Sequence, residues 1–466
     1  MNRPLYGFGP ARAARRQLAG GTPTPTPTDV RDGLVLDWDV DDLTGTPDAP
    51  YSGIWLDRVA GAPLSNSDSI SQPTLRSAFA DLGGRNALYT AGGRHLVMGR
   101  PTALLDALAN NNNATGCTLV MICRLTPGVT GQWHALFSPS SNSDNRNVVM
   151  SASHVGQPNA LTDVSLVGSP AIGGFYVVIM RSRTPPGSSN RQCSMMYNGH
   201  VVNTNTMAPH ASADYRYGAA SYNSNYGIIG EFADLRVYNR AISNAEALRL
   251  TKYFCHKFGQ PLPWAGAPYY AIFDGDSYSS LSANNWVLKL ARTGHVPWYS
   301  MANVANPSRN IDQMEAMIPW NFTGVAEEVG LPLLVATQEY YNQGGDKLAA
   351  MQRYLGTLRA ALPSGTPIMV MDAWDNGQVG DTARAPYNAG LATSTDLWDV
   401  LVPISATTEM GVEGACPEAG GDYTGSYFGD AVGHPSGLGT SFVADYWRGA
   451  AAGYTTDYWG LGEALL

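Results

Sequence analysis

The chain has 466 residues, of which 44% are hydrophobic and only 14% are charged, with 51 Gly and 30 Pro. This length predicts two or three domains, because a single core stops growing well below it. The formal net charge of -9 argues against the basic surface of a nucleic-acid-binding protein, so no nucleic-acid partner is expected.

Residues 1–29 differ in composition from the rest of the chain. Four arginines, Arg3, Arg12, Arg15 and Arg16, make the first stretch basic, and alternating Thr and Pro follow from Thr22 to Thr28. Such a repeat forms an extended, semi-rigid spacer. Two interpretations stay open, namely a disordered tail with a linker, or an arm that becomes ordered on a partner.

Residues 30–258 carry the pattern of a β-sandwich. Short apolar runs are separated by polar, turn-rich segments, which is typical of many short strands packed as two sheets. The runs lie at 33–38, 96–98, 117–123, 134–137, 148–150, 175–180 and 194–197.

The end of this region carries a recognisable motif. The stretch Arg236-Val237-Tyr238-Asn239-Arg240-Ala241-Ile242-Ser243 resembles the last strand and turn of concanavalin A-like (laminin-G-like) jelly rolls, where a short helix follows. Ser243 and Glu246 have the spacing of a capping box at the start of that helix, 244–257. The resemblance implies a domain type that commonly binds carbohydrate, although many members serve as spacers.

Two sets of residues in the predicted sandwich have alternative roles. One set comprises aromatic side chains that stack on sugars or, as we favour, pack in the core: Trp133, Tyr222, Tyr226 and Tyr238. The other comprises carboxylates that bind Ca²⁺ or, as we favour, are solvated acids at strand ends: Asp37, Asp39, Asp41 and Asp42. No cofactor is otherwise expected.

The pattern changes after the short linker 259–266. Strands predicted at 269–273, 297–304, 331–336 and 367–371 alternate with helices predicted at 284–293, 311–318, 346–362 and 438–452. Alternation of this kind predicts an α/β three-layer sandwich with a parallel sheet over residues 267–466.

The first of these strands runs directly into Gly275-Asp276-Ser277. A serine at the carboxyl end of a strand is where an open α/β sheet presents a nucleophile. Asp430 and His434 follow late in the chain, so the three residue types of a Ser-His-Asp hydrolase are present. The alternative is a simple turn serine together with a capped loop histidine.

These blocks resemble the SGNH (GDSL-type) hydrolase family. Its first block is matched by Gly275-Asp276-Ser277-Tyr278-Ser279, and its last block by Asp430 with His434-Pro435. The resemblance implies that Ser277 is the nucleophile, that its backbone N–H helps to bind the oxyanion, and that His434 takes the serine proton. Asp430 would then orient the imidazole and stabilise its charged form.

The chain departs from the family pattern at three places. One additional residue separates Asp430 from His434, a separation that suits one side of a helical turn. Ser308 stands where the second block has Gly, and Gln338 where the third block has Asn. The implied oxyanion hole is therefore Ser277, Ser308 and Gln338, while Glu339 is interpreted as a structural acid and Asp276 as a supporting hydrogen-bonding residue.

The sequence predicts a carbohydrate-directed serine esterase that removes O-acetyl groups from a cell-surface polysaccharide. Architecture and composition resemble phage or phage-like fibre and spike proteins, which implies a virion or extracellular particle, attachment to other particle proteins through residues 1–29, and a homo-oligomer. The amino terminus lacks the apolar core of a signal peptide, and no segment has the length of a membrane span. The competing interpretation is a non-catalytic glycan-binding or structural protein with a degenerate SGNH domain.

The chain contains five cysteines. They form neither a CxxC pair nor a metal-ligand spacing, and their number is odd. This pattern predicts buried free thiols that act as small apolar side chains. The cysteines are Cys117, Cys123, Cys193, Cys255 and Cys416.

Overall fold

The computed structural model describes residues 27–92, 94–110, 113–126, 134–139, 148–150, 154–156, 164–165, 174–187, 192–204, 215–218, 228–280, 286–292, 296, 300–377, 382–417, 422–430 and 433–459. The strands in these ranges are β1 (Leu34–Trp38), β2 (Trp55–Leu56), β3 (Pro63–Ser65), β4 (Thr74–Phe79), β5 (Arg85–Ala91), β6 (Leu96–Met98), β7 (Cys117–Leu125), β8 (His134–Pro139), β9 (Val148–Met150), β10 (His154–Gly156), β11 (Val164–Ser165), β12 (Phe175–Arg183), β13 (Gln192–Tyr197), β14 (His200–Thr204), β15 (Tyr215–Tyr217), β16 (Ile229–Tyr238), β17 (Tyr270–Gly275), β18 (Met301–Asn303), β19 (Leu333–Gln338), β20 (Ile368–Met371) and β21 (Val400–Val402). The helices are α1 (Thr102–Ala109), α2 (Asn244–Lys257), α3 (Trp286–Arg292), α4 (Ile311–Ala316), α5 (Ile318–Asn321), α6 (Val325–Val329), α7 (Lys347–Ala361), α8 (Arg384–Thr393) and α9 (Gly437–Trp459).

The first part of the chain is a β-sandwich. One antiparallel sheet has the order β14-β13-β12-β7-β16-β5-β4. β1 pairs with the last four residues of β16, beyond the part of β16 that pairs with β5. The second sheet has the order β11-β10-β9-β8-β15-β6-β3-β2. Tyr217 of the second sheet joins the two, because its hydroxyl donates to the Asp234 carbonyl at 3.0 Å and its ring meets Phe232 edge-on at 4.8 Å.

The second part alternates strands and helices, as the sequence predicts. β17 to β21 run parallel in the order β21-β20-β19-β17-β18. Successive side chains of β17 enter different cores: Ile272 belongs to the same buried cluster as the apolar residues of α7, whereas Phe273 packs against Trp286 of α3 and Trp447 of α9. Burial on both faces explains why these strands are continuous apolar runs without alternation of polar residues. The strand β21 and the helices α5, α6 and α8 were not predicted from the sequence.

The two parts share one continuous sheet. β14 of the sandwich pairs in parallel with β18, through Val201 with Ala302 and Val202 with Asn303. Among the described residues, thirteen strands therefore form a single mixed sheet. Within the predicted linker Trp264 alone is buried, and its indole N–H donates to the Val329 carbonyl at 3.0 Å, whereas Gly259, Pro261, Ala265 and Gly266 are exposed.

The helix α2 connects the same two parts. It begins with the predicted capping box, because Ser243 and Glu246 exchange hydrogen bonds between their side chains and backbone N–H groups. Its far face contacts the second part, where Arg249 and Lys252 both bind Glu328. The short helix thus packs against the second part of the chain as well as the sandwich.

The four aspartates considered as calcium ligands are bound to protein cations instead. The ion pairs are Asp37 with Arg236 and Arg31, Asp39 with Lys257 and Arg58, Asp41 with Arg85, and Asp42 with Arg58. Within the described residues no group of three His, Cys, Asp or Glu side chains is arranged to hold a metal ion. The calcium interpretation therefore has no support from the geometry, and the favoured interpretation as solvated acids is wrong for Asp37 and Asp39, which are buried.

The structure also describes some of the aromatic residues and the cysteines considered in the sequence. Tyr238 is buried and its hydroxyl donates to the Val30 carbonyl at 2.9 Å, which is a core role. Trp133, Tyr222, Tyr226 and most of the arm 1–29 lie outside the described residues. All five cysteines are buried, and none of these described residues forms a disulfide bond. No helix in the described ranges is long and apolar enough to cross a membrane.

Candidate active site

The site lies where the parallel sheet reverses its direction of winding. The chain passes from β17 to β18 on one side and then returns to β19 on the other side of β17. The helix α3 that follows β17 and the helix α7 that follows β19 lie on opposite faces of the sheet. Divergence of the two connections opens a crevice at the carboxyl ends of these strands. Ser277 and Gln338 are both at this edge.

A tight turn presents Ser277 above the end of β17. The Asp276 carbonyl accepts hydrogen bonds from Ser279 N at 3.2 Å and from Ser280 N at 2.8 Å. Gly275 has φ of +154°, and a Cβ atom there would lie 2.6 Å from the Gln338 carbonyl oxygen of the neighbouring strand. Only glycine fits this position, which explains the Gly-Asp-Ser order.

The loop that carries His434 is fixed from two directions. Its ends pair with each other, because Gly429 N donates to the His434 carbonyl at 2.7 Å and Phe428 bridges to Pro435. Gly433 has φ of +82°, and its carbonyl accepts the Trp374 indole N–H at 3.1 Å. These contacts fix the position of the loop backbone on both sides of His434.

Ser277, His434 and Asp430 come together as a hydrogen-bonded chain. His434 Nε2 lies 2.9 Å from Ser277 Oγ, and His434 Nδ1 lies 2.7 Å from Asp430 Oδ2. The second carboxylate oxygen of Asp430 accepts the His434 backbone N–H at 3.1 Å. The additional residue in the Asp-His spacing is thus accommodated in a glycine-containing loop that differs from the expected helical turn.

This geometry defines which nitrogen can accept a proton. A carboxylate at Nδ1 fixes the imidazole tautomer that leaves Nε2 free to take the Ser277 proton. The side chains of His434 and Asp430 are 37% and 45% exposed, so a substrate can approach from solvent. The three groups can therefore transfer a proton and present an oxygen nucleophile.

Two of the predicted oxyanion residues, Gln338 and Ser308, are not part of this hydrogen-bonded chain. Gln338 is only 1% exposed, and within the described part of the chain its Nε2 has no hydrogen-bond acceptor. Its Oε1 accepts the Ser279 hydroxyl at 3.4 Å. Ser308 is exposed with φ of +60°, two residues after Asn306, whose N–H donates to the Gly275 carbonyl at 3.1 Å.

An aromatic stack beside His434 was not found by sequence reasoning. The Tyr278 ring stacks on the imidazole with centroids 4.8 Å apart, and Tyr341 stacks on Tyr278 at 4.3 Å. Trp374 meets Tyr278 edge-on at 5.3 Å and accepts the Tyr341 hydroxyl at its carbonyl. Since Trp374 lies almost one hundred residues from Tyr278, no local pattern could have connected them.

A buried ion pair supports the turn from below. Asp274 accepts hydrogen bonds from Gly275 N at 2.9 Å, from the Tyr354 hydroxyl at 2.9 Å and from Arg309. Arg309 also donates to the Gly275 carbonyl at 2.9 Å. The pKa of Asp274 is raised above its ordinary value by burial, and the contacts with Arg309 and Tyr354 offset part of this rise. These contacts join the start of the turn that carries Ser277 to α7 and to the loop after β18.

Comparison with known proteins gives no family for the chain. No protein-family model matches, and no curated protein sequence matches. Among solved structures, a sialidase from Trypanosoma rangeli in complex with 2,3-difluorosialic acid is similar with a TM-score of 0.34 and 14% identity. That match covers 48% of this chain and 33% of the sialidase, so the chain spans about a third of that relative's length.

Two smaller structures are similar over nearly their whole length. The protein TesA has a TM-score of 0.30 and 14% identity, with 39% of this chain and 97% of TesA covered. The CBM40 of a Ruminococcus gnavus sialidase bound to α2,3-sialyllactose has a TM-score of 0.28 and 14% identity, with 35% and 96% covered. Likeness at this level defines neither fold family nor activity for this chain.

Proposed function

We propose that the chain is an SGNH-type serine esterase, in which Ser277 is the nucleophile, His434 the general base and Asp430 the residue that orients it. The hydrogen-bonded chain from Ser277 Oγ through His434 to Asp430 carries this proposal. Such a chain activates a serine hydroxyl for attack on an acyl carbon. The position of the serine at the switch point of a parallel sheet supports the same conclusion.

The proposed reaction follows from the contacts. His434 Nε2 takes the proton of Ser277 as Oγ forms a bond to the carbonyl carbon of the ester. The carbonyl oxygen thereby becomes negative. His434 then gives this proton to the departing alcohol oxygen as the carbon–oxygen bond breaks. Water, deprotonated by His434, finally hydrolyses the acyl-serine and releases the acid. The backbone N–H groups of Ser277 and Ser308 and the amide of Gln338 are the proposed donors to the negative oxygen.

The substrate we propose is an O-acetylated surface polysaccharide. The shared sheet supports an extended substrate, because β14 runs parallel to β18 and ends at the same edge as Ser277. Two strand spacings separate β14 from β17, or about 10 Å, which a chain of a few sugars would span. The jelly-roll motif at the end of β16 supports a concanavalin A-like domain with a role in holding the glycan.

Two measurements on the intact chain test this function. A fluorophosphonate, which forms a phosphorus–oxygen bond with activated serines and releases fluoride, is expected to give one adduct, on Ser277. O-acetylated polysaccharides are expected to release acetate on incubation. No adduct on Ser277 together with no acetate release from any acetylated glycan or simple ester would refute the esterase proposal.

One observation favours a second candidate, a glycan-binding protein with a degenerate hydrolase site. The Gln338 amide is buried, and an amide that does not reach the crevice cannot stabilise an oxyanion there. In that case the polysaccharide would bind and acetate would not be released. The virion location, the attachment through residues 1–29 and the homo-oligomer stay predictions from the sequence.

The stack on His434 provides a prediction of intermediate size. Tyr278→Leu is expected to lower kcat about tenfold, because an aromatic face next to an imidazolium contributes about 0.5–2 kcal/mol. KM should change little, since the imidazole is charged in the transition state and neutral in the bound ground state. Tyr278→Phe keeps the ring and should restore most of the rate in steady-state assays. Equal losses in both variants would contradict the role of the stack.

A further inference from the structure

Two carboxyl groups lie side by side directly behind the nucleophile turn. Asp276 precedes Ser277, and Glu339 follows Gln338 at the end of β19, the strand paired with β17. Both side chains are at most 1% exposed, and they are in hydrogen-bonding contact with each other. The register that pairs Gly275 with Gln338 places them next to one another.

The hydrogen-bond donors around the pair account for three of its four oxygens. Asp276 Oδ1 accepts Tyr278 N at 2.9 Å, and Asp276 Oδ2 accepts Asn342 Nδ2 at 2.8 Å. Glu339 Oε1 accepts Asn342 N at 2.6 Å. Glu339 Oε2 is buried, and no donor among the described residues reaches it. Two ionised carboxylates are both acceptors and cannot hydrogen-bond to each other, so their contact requires a proton on one of them.

We propose that Asp276 and Glu339 share one proton, and that this shared proton fixes the position of the nucleophile turn against β19. Asn342 completes the arrangement by donating to both partners, so the pair and the asparagine form a closed unit. The positioning role rests on the proposed esterase function, whereas the sharing of the proton does not depend on it.

The charges around the pair do not replace the proton. In the described ranges neither carboxyl forms an ion pair with Lys or Arg. The charge of Lys347 lowers the pKa of Glu339 less than the hydrogen bonds from Asp276 and Asn342 do. Lys347 donates to the Tyr340 carbonyl, Arg309 binds Asp274, and Arg384 donates to the Gly411 carbonyl. The remaining titratable groups near the pair are Tyr278, Tyr341, Tyr387 and the His434–Asp430 couple.

Burial acts on both carboxyl groups, and on Asp276 the charge of Glu339 acts in the same direction. Burial, followed by the charge of Glu339, raises the pKa of Asp276 well above its ordinary value, and burial raises the pKa of Glu339. Loss of the proton would place a second negative charge close to Ser277. The transition state of ester cleavage also carries a negative oxygen there, so deprotonation would oppose the reaction as well as the fold.

The sign of the effect on stability follows from proton counting. Unfolded carboxyl groups titrate at about pH 4. Above that pH the folded pair keeps one proton more than the unfolded chain, so stability falls as pH rises until the folded pair is itself deprotonated. In E339Q the introduced amide can donate to Asp276 without a titrating proton, and this part of the pH dependence should disappear.

The experiment measures unfolding of the full chain by denaturant at pH values from 5 to 9, without any substrate. The folding equilibrium constant of wild type, divided by that of E339Q, is expected to fall about tenfold per pH unit over the range in which the pair keeps its proton. E327Q, which changes an exposed glutamate, should give a constant ratio. D276N tests the partner side and replaces E339Q if that variant does not fold.

Parallel pH dependences of wild type, E339Q and D276N would overturn the shared proton. If the proton is shared but the chain is not an esterase, the unfolding ratio still changes with pH while no ester is cleaved. If the chain is an esterase without a shared proton, turnover is seen and the ratio is constant. The two proposals therefore fail separately.

Discussion

Ser277→Ala and His434→Ala should each reduce kcat/KM for a simple ester by at least about a thousandfold, because either change removes the activated nucleophile. The physical reason is the 2.9 Å contact between Ser277 Oγ and His434 Nε2. An alanine at 277 has no oxygen to acylate, and a serine without the imidazole retains its proton. The double variant should be no slower than the slower single variant, since the residues act as one unit.

Asp430→Asn should show a smaller loss in the same assay. Replacement of this kind of carboxylate costs up to about 10⁴-fold in a buried triad, where the tautomer is wrong. Asp430 is 45% exposed, so water can partly replace it, and a loss of about a hundredfold is expected here.

The matched control for Ser277→Ala is Ser67→Ala, a change of an exposed serine of the sandwich that should keep wild-type kcat/KM. If Ser277→Ala retained more than a tenth of the wild-type rate, the assignment of the nucleophile would be wrong.

The elements around Ser277 could be predicted because their signals are local. The apolar run of β17 is buried on both faces, and the glycine requirement at Gly275 comes from a single close approach to the next strand. His434 was found because it belongs to a short block with Asp430. The geometry of that block was expected to be helical, but Gly433 in a left-handed conformation makes it a loop.

The connection between the two parts could not be predicted for a physical reason. β14 and β18 pair through only two residue positions and are one hundred residues apart, so neither strand carries a signal for the other. The compact segment that contains Trp264 was interpreted as a linker, and the Trp264 indole N–H donates to Val329 at the end of α6, which lies far along the chain. Contacts of this type are set by the tertiary fold alone.

The same limit applies to Asp276 and Glu339. Each was interpreted separately, as a supporting residue and as a structural acid. Their contact requires the register between β17 and β19, and that register follows only after the order of the parallel strands is known. The contact between two carboxyl groups on neighbouring parallel strands is therefore less accessible to sequence reasoning than the turn that carries Ser277.

The ion pair beneath the turn should have the largest effect on stability. Arg309→Met removes the cation and leaves Asp274 buried, which is expected to lower the free energy of unfolding by about 3–5 kcal/mol. The methionine fills much of the space, so the loss reflects the uncompensated carboxylate more than a cavity. Denaturant unfolding at pH 7 measures it, and turnover should fall as well, because Arg309 also holds the Gly275 carbonyl.

The matched control for this variant is Arg353→Met. Arg353 binds Asp312 and Glu315, but its side chain is 53% exposed, so its loss should cost at most about 1 kcal/mol.

The loss in free energy of unfolding caused by Arg309→Met should also become smaller between pH 7 and pH 5. Burial already raises the pKa of Asp274, and removal of the cation raises it further, so a neutral carboxyl replaces the buried charge as pH falls. Adding Asp274→Asn to Arg309→Met removes that charge at every pH and should recover part of the loss. An equal cost for the buried and the exposed arginine would show that the pair does not hold the turn.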